Sequence, residues 1–93
     1  MEIVAYTTDG CFYCDQLKRL IKRANLKEST KFIKVGRDMS REEFVSQFPD
    51  ATGYPLVYID GERIGGLVEV ARVFVREKLV SVERDSGPVL DKN

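Results

Sequence analysis

Cys11 and Cys14 are the only cysteines in this 93-residue chain, and two residues separate them. A cysteine thiolate is a nucleophile, and a second thiol nearby can displace a mixed disulfide that forms on the first. The chain contains no histidine, which excludes a catalytic triad and a histidine-rich metal site. The cysteine pair is therefore the one obvious source of chemistry in the sequence.

Two other interpretations of a single Cys-x-x-Cys pair have to be weighed. A zinc site would need a second chain or carboxylate ligands, because no further cysteine or histidine completes tetrahedral coordination within one chain. Two inert core cysteines are the other interpretation, since cysteine is often buried. A redox dithiol is favoured over both, because the pair follows a strand in a β-α-β pattern. We expect no resident metal.

The elements around the pair explain how it would be positioned. A short apolar run, Ile3–Tyr6, predicts a buried strand, and a turn over residues 7–10 leads to a helix that starts at Cys11. The helix has one apolar stripe and stops at Asn25; the stripe consists of Leu17, Leu20, Ile21 and Ala24. Because a helix N-terminus stabilises an anion, we expect a depressed pKa for Cys11, with Cys14 one turn further in.

The rest of the chain predicts two more helices and three more strands. A capping box at Ser40–Glu43 opens a helix that Pro49 ends, and Asp60-Gly61 is a two-residue hairpin turn. The remaining predicted elements are strands over residues 32–35, 56–59 and 62–64 and a last helix from Leu67. The order β-α-β-α-β-β-α predicts an α/β fold with a four-stranded mixed sheet and helices on both faces.

Length and charge limit the remaining possibilities. We expect one domain over residues 1–78 and a partly loose C-terminal extension over residues 79–93, held in part by Val80, Val82, Val89 and Leu90. Fifteen basic residues balance fifteen acidic ones, which argues against a nucleic-acid binder. No apolar run approaches the ~18–20 residues of a membrane span and no signal peptide is apparent, so we expect a cytoplasmic protein. We also expect it to be a monomer.

The zero net charge hides an asymmetry. Residues 1–34 hold seven basic and four acidic residues, and residues 35–93 hold eight basic and eleven acidic ones. The N-terminal part, which contains the cysteine pair, therefore carries a net positive charge that would surround the thiolate.

Four stretches of the chain resemble a glutaredoxin. They are Ala5–Cys14, Asp38–Phe44, Tyr54–Gly61 and Ile64–Gly66, and the resemblance extends over about residues 2–78. The chain is most similar to the small dithiol glutaredoxins of phages and bacteria, and it lacks the Trp-Cys-Gly-Pro-Cys site that is usual in thioredoxins. The resemblance implies a thioredoxin-like fold.

The resemblance also implies a role for each matching residue. Cys11 would be the nucleophile and Cys14 the resolving thiol. Tyr13 would pack beside glutathione, Pro55 would be a cis-proline, and Tyr54 would offer its backbone to the cysteinyl part of glutathione. The backbone amides at Gly66, Leu67 and Val68 would hold the γ-glutamyl carboxylate.

The sequence departs from the family pattern at several of these positions. Phe12 replaces the usual proline, Thr8 replaces a lysine, and Gly53-Tyr54 replaces Thr-Val. Val68 stands where an acidic residue is common, and the next residue, Glu69, is a candidate substitute. Arg37 and Arg41 are candidates to replace the lysine as partners of a carboxylate.

The function that the resemblance implies is glutathione-dependent reduction of protein disulfides and glutathione mixed disulfides, with ribonucleotide reductase as a candidate acceptor. One alternative is a thioredoxin-like reductase driven by a flavoenzyme, since two glutathione anchors are missing or moved. Another is a carrier of a [2Fe–2S] cluster bound between two chains, because proline is absent at position 12.

Overall fold

A computed structural model describes residues 1–81 of the chain. Within that part, four strands and three α-helices follow one another in the predicted order. The strands are β1 (Ile3–Thr7), β2 (Thr30–Lys34), β3 (Leu56–Ile59) and β4 (Glu62–Gly65). The helices are α1 (Phe12–Arg23), α2 (Arg41–Gln47) and α3 (Leu67–Arg76), and a short 3₁₀ turn, Lys27–Ser29, precedes β2.

The four strands form one mixed sheet in the order β2-β1-β3-β4. β1 runs parallel to β2 and antiparallel to β3, so that Ala5 lies between Phe32 and Val57. β3 and β4 form the predicted antiparallel hairpin, whose turn residues Asp60 and Gly61 have φ angles of 51° and 82°. Positive φ at both positions is what a tight two-residue hairpin turn requires.

Helices cover both faces of this sheet, as predicted. α1 and α3 pack on one face through a buried cluster that includes Leu17, Ile21, Val70 and Phe74. α2 packs on the other face through Phe44 and Phe48, against Val35 and Leu56. Alternating side chains of β1 point to opposite faces, so Ile3 and Ala5 join the first cluster and Tyr6 joins the second.

The boundaries of β2 differ from the prediction. The strand spans Thr30–Lys34 instead of residues 32–35, and Val35 donates its N–H to Thr7 O at 2.8 Å beyond the strand's end. Apolar patterning detects the buried side chains, whereas backbone pairing with β1 continues through the polar residues Thr30 and Lys31. For the same reason β4 reaches Gly65, one residue past the predicted end.

The chain after α3 folds back onto the first core cluster. Leu79 donates its N–H to Phe74 O at 2.7 Å, and Leu79 and Val80 pack against the cluster. Val82, Val89 and Leu90, also predicted to hold the extension, lie outside the described residues. None of the helices within residues 1–81 is long and apolar enough to cross a membrane.

Candidate functional site

The two cysteines lie at the start of α1. Cys11 is the N-cap residue, with extended backbone, and Cys14 lies in the first turn of the helix. Their Cα atoms are 5.2 Å apart and their sulfurs are joined in a disulfide. The backbone N–H of Cys14 also points at Cys11 Sγ, with N and Sγ 3.1 Å apart. A first-turn amide aimed at this sulfur would stabilise a thiolate there.

The two sulfurs differ in access to solvent. Cys14 is 1% exposed, whereas Cys11 is half-buried. Next to Cys11 the aromatic rings of Phe12 and Tyr13 project outward, 68% and 59% exposed, with ring centroids 5.8 Å apart. Cys11 is therefore the more accessible of the two sulfurs, and two exposed aromatic rings lie next to it along the chain.

The segment before β3 approaches Cys11 from the other side. The Tyr54–Pro55 peptide bond is cis, as the resemblance to glutaredoxins implies. Tyr54 O lies 3.9 Å from Cys11 Sγ, and its ring packs against Phe44 with centroids 5.0 Å apart. Within residues 1–81 the Tyr54 N–H has no hydrogen-bond partner. The Tyr54 backbone is thus free to pair with an extended peptide beside the reactive sulfur.

An open groove of about 470 Å³ runs beside this segment. It brings together seven of the predicted site residues, namely Tyr13, Tyr54, Pro55, Gly66, Leu67, Val68 and Glu69. The loop over residues 50–53, together with Leu56, Arg63 and Gly65, completes its lining. We call it the Tyr54 groove. The predicted residues come from three separate parts of the chain, so folding is what assembles them.

The N-terminus of α3 forms one wall of the Tyr54 groove. Gly66 is its N-cap residue, and the Gly66 N–H donates to Glu69 Oε1 at 3.0 Å. The pKa of Glu69 is lowered by backbone hydrogen bonds, first from its own N–H and then from Gly66, with a smaller effect of the Arg72 charge. Because Gly66 is already bonded, Leu67 and Val68 supply the first-turn amides that are left for a carboxylate.

Arg37 and Arg41 lie outside the lining of the Tyr54 groove. The Arg37 guanidinium donates from Nε and Nη2 to the Asp38 carboxylate, each at 3.0 Å. These bonds, together with the backbone N–H of Lys34, lower the pKa of Asp38 to about 2. Arg41 is the first residue of α2. The Arg37 guanidinium is therefore already bonded to the Asp38 carboxylate.

One ion pair in the loop before Cys11 was not predicted from the sequence. Lys34, at the end of β2, pairs with Asp9. Its hydrogen bond and charge lower the pKa of Asp9, helped by the charges of Arg37 and Lys18. Thr8, which replaces the family's lysine, contacts Val35 O through its hydroxyl at 3.5 Å. Lys34 thus places a positive charge near the loop by a contact between residues 25 positions apart, which no local pattern indicates.

Arg63 was also missed by sequence reasoning. Its Nε donates to the Tyr58 hydroxyl and its Nη1 to Asp50 Oδ2, both at 3.1 Å, while the guanidinium lies over the Phe48 and Tyr58 rings. An arginine on a short polar strand gives no signal of such a role. Through its bond to Asp50, Arg63 holds the loop over residues 50–53 that lines the Tyr54 groove.

No group of three or more histidine, cysteine or acidic side chains within residues 1–81 is arranged to hold a metal ion. The arrangement described above consists of two sulfurs, one accessible and one buried, with the unpaired Tyr54 N–H alongside.

Comparison with known proteins gives a consistent result. The family model for glutaredoxin matches residues 3–64, and no curated protein sequence matches. The dithiolic glutaredoxin 2-C-Grx1 of Trypanosoma brucei brucei has a TM-score of 0.70 at 20% identity, with 84% of this chain and 81% of that chain covered. Glutaredoxin 1 of Francisella tularensis, in complex with cacodylate, has a TM-score of 0.63 at 24% identity, covering 84% and 95%.

A third solved structure contains a ligand. It is a buckwheat glutaredoxin–glutathione complex, with a TM-score of 0.60 at 22% identity and coverage of 83% of this chain and 71% of that chain. At these identities the likeness to solved structures shows the fold, which is the predicted four-stranded thioredoxin-like arrangement.

Proposed function

This chain belongs to the glutaredoxin family, and from that premise we propose that glutathione drives its catalytic cycle and that Cys11 is the sulfur that reacts. Family membership makes it a thiol–disulfide oxidoreductase. The observation that carries the proposal is the position of Tyr54: its carbonyl oxygen lies 3.9 Å from Cys11 Sγ, and it lines the same groove as the start of α3. A short peptide thiol fits a sulfur flanked in this way.

Cys11 is proposed as the nucleophile because substrates can reach it and Cys14 is 1% exposed. The Cys11 thiolate attacks one sulfur of a substrate disulfide, so that a mixed disulfide forms and the other substrate sulfur leaves as a thiolate that takes up a proton. The amide of Cys14, 3.1 Å from Cys11 Sγ, stabilises the thiolate before attack.

Cys14 is proposed as the resolving thiol. After it loses its proton, it attacks Cys11 Sγ, the substrate leaves as a second thiol, and the pair closes to the disulfide seen in the structure. Two glutathione molecules then return two electrons. The first forms a mixed disulfide with Cys11 and releases Cys14 as a thiol. The second attacks the glutathione sulfur of that mixed disulfide, which gives oxidised glutathione and restores the dithiol.

The proposed site for glutathione is the Tyr54 groove. The cysteinyl part of glutathione would pair with the free backbone of Tyr54, and Tyr13 and Pro55 would pack beside glutathione. The γ-glutamyl carboxylate would accept hydrogen bonds from Leu67 and Val68, at the positive end of the α3 dipole. The contribution of Gly66 would be conformational, since its N–H already donates to Glu69.

The charged ends of glutathione are proposed to have side-chain partners as well. A carboxylate can accept several hydrogen bonds, so Glu69 is able to cap Gly66 and also attract the γ-glutamyl ammonium. Arg37 and Arg41 stay candidates for the glycyl carboxylate, although neither lines the Tyr54 groove. For Arg37 this role requires the exchange of Asp38 for the ligand.

The proposed substrates are disulfide-containing or glutathionylated proteins in the cytoplasm, with ribonucleotide reductase as the candidate that the resemblance to phage and bacterial glutaredoxins suggests. The buckwheat relative, which was solved with glutathione, supports the choice of reductant. We propose that the protein acts as a monomer, since one chain supplies both thiols and the whole Tyr54 groove.

The decisive assay is turnover of a glutathione mixed disulfide with glutathione as the sole reductant. Wild-type protein should turn over, Cys11→Ser should be inactive, and Cys14→Ser should keep activity on this substrate, because glutathione can resolve the intermediate directly. Equal rates for wild type and Cys11→Ser would refute the proposal.

A thioredoxin-like reductase driven by a flavoenzyme is the second candidate function. It is favoured by the engagement of the Gly66 amide with Glu69 and by Thr8 in place of a lysine, which together leave fewer anchors for glutathione. Reduction of the Cys11–Cys14 disulfide by a thioredoxin reductase, with negligible reduction by glutathione, would favour this candidate.

A further inference from the structure

A second groove lies on the far part of α1 and has no residue in common with the Tyr54 groove. It has a volume of about 350 Å³. Four of its lining residues are cations and two are apolar, namely Lys18, Arg19, Lys22 and Lys27, with Ile21 and Phe32. We call it the basic groove. It concentrates four of the chain's fifteen basic residues around one depression.

The described part of the chain offers the cations of the basic groove no acidic partner. Within residues 1–81 none of the four makes an ion pair, although Lys34, Arg37, Arg63 and Arg76 all do. Like charges spaced three or four residues apart on a helix, such as Lys18 and Lys22, destabilise the isolated helix slightly. An anionic partner would remove this repulsion.

The apolar part of the basic groove indicates what else the partner carries. The Phe32 ring supplies the accessible apolar surface, because it is only half-buried whereas Ile21 is 1% exposed. Lys18 Nζ lies 5.9 Å from the centroid of that ring. Cations around an apolar surface with one aromatic ring suit a segment in which acidic residues flank an apolar side chain.

The basic groove is rigidly connected to the reactive sulfur. Cys11 caps α1, and Lys18 and Lys22 follow seven and eleven residues later on the same helix. At ~1.5 Å of rise per residue these positions lie about 10 and 16 Å along the axis.

We propose that the basic groove docks an acidic segment of the protein whose disulfide Cys11 attacks. An extended chain covers about 3.3 Å per residue, so the acidic residues would lie roughly three to five positions from the reacting cysteine. The proposal deepens the function proposed above, because it names the substrate class of the same dithiol, and it rests on Cys11 as the reacting sulfur. A protein partner is favoured over a nucleic acid because the reaction requires a disulfide.

The test compares two disulfide peptides in single-turnover reactions with pre-reduced protein. One peptide carries glutamates four residues from its cysteine, and the matched peptide carries glutamines there. At low ionic strength the disulfide of the acidic peptide should be reduced to thiols about ten-fold faster, while Cys11 and Cys14 are oxidised to their disulfide. The ratio of the two rates should fall toward one at high salt, as expected for a steered encounter.

Two charge-reversal variants distinguish an effect of the basic groove from an effect of the protein's net charge. Lys22→Glu changes a residue that lines the basic groove, whereas Arg23→Glu makes the same change one position later on α1, outside it. Lys22→Glu should abolish most of the preference for the acidic peptide and Arg23→Glu should keep most of it, with circular dichroism showing that both variants fold.

Equal rates for the two peptides, or equal losses in the two variants, would overturn the proposal. So would stronger competition by a single-stranded oligonucleotide than by the acidic peptide with its cysteine blocked. No glutathione is present in these reactions, so their failure is distinct from failure of the proposed reductant.

Discussion

The two sulfurs of the Cys-x-x-Cys motif differ in burial, and the roles proposed for them rest on that difference. The spacing predicts a nucleophile and a resolving thiol, but it does not determine how far each is exposed. Cys11 is half-buried at the N-cap of α1, and Cys14 is 1% exposed beneath it. Cys11 is therefore the more accessible sulfur, which is why it is proposed to react with the substrate first.

Burial should also determine which thiol is alkylated first. In reduced protein treated with a limiting amount of iodoacetamide, we expect Cys11 to be modified well before Cys14, because only a deprotonated and accessible sulfur reacts quickly. Peptide mapping by mass spectrometry measures the ratio. Preferential modification of Cys14 would contradict the assignment of the nucleophile.

Phe12 is the first residue of α1 and its side chain is 68% exposed; the resemblance to glutaredoxins implies a proline at this position. Proline is well tolerated there, because the first amides of a helix lack intrahelical partners and the fixed φ suits the helix. Phe12→Pro should therefore raise the free energy of unfolding by about 0.4–1 kcal/mol. Urea denaturation measures this change, and a loss of stability would show that the Phe12 ring or N–H is needed.

At the scale of elements, patterning predicted the order of strands and helices and the capping box at Ser40 and Glu43. Those features depend on local periodicity and on polar side chains next to helix ends. The 3₁₀ turn at Lys27–Ser29 and the start of β2 at Thr30 were missed, because polar residues there have no periodic signature. The ion pairs Asp9–Lys34 and Asp50–Arg63 depend on tertiary contacts and could not be predicted from spacing.

The N-terminus of α3 is proposed to affect how tightly glutathione binds, through the charge of Glu69. Glu69→Gln should keep a hydrogen bond to Gly66 but remove the charge that attracts an ammonium group. We expect KM for glutathione to rise about 2–5-fold, which is the effect expected from removing one exposed charge near a helix end. The stability of the protein should change little. A lower KM would mean that Glu69 instead repels the γ-glutamyl carboxylate.

The segment between β2 and α2 should respond to acid through Asp38. Its pKa is lowered to about 2 by Arg37 and the Lys34 amide, so its stabilising contacts are complete above its ordinary pKa of 3.8 and are lost as pH falls toward 2. NMR titration should give that midpoint, and Arg37→Gln should move it up toward 3.8. No change in Arg37→Gln would contradict the ion pair.

At the scale of the whole molecule, two small cores on opposite faces of one sheet position the site. The first core holds α1, and hence Cys11, against α3, whose N-terminus lines the Tyr54 groove. The second core holds α2 under Tyr54. The sequence predicted both faces, because apolar positions recur with helical period, but how closely α1, Tyr54 and α3 approach one another depends on packing.

Phe74 is the largest of the fully buried side chains within residues 1–81. Phe74→Ala should lower the free energy of unfolding by about 3–5 kcal/mol through lost burial and a cavity. Val45→Ala, on the exposed side of α2 with 55% exposure, is the control and should change it by less than ~0.5 kcal/mol. Similar losses in both variants would show that the first core does not hold the fold together.

The central claim is that glutathione, linked to Cys11, lies in the Tyr54 groove. The most direct measurement is an amide NMR spectrum of Cys14→Ser protein before and after it forms a mixed disulfide with glutathione. We expect shifts at Tyr13, Tyr54, Leu67 and Val68, which belong to three separate segments. Shifts confined to Cys11 and its immediate neighbours along the chain would contradict it.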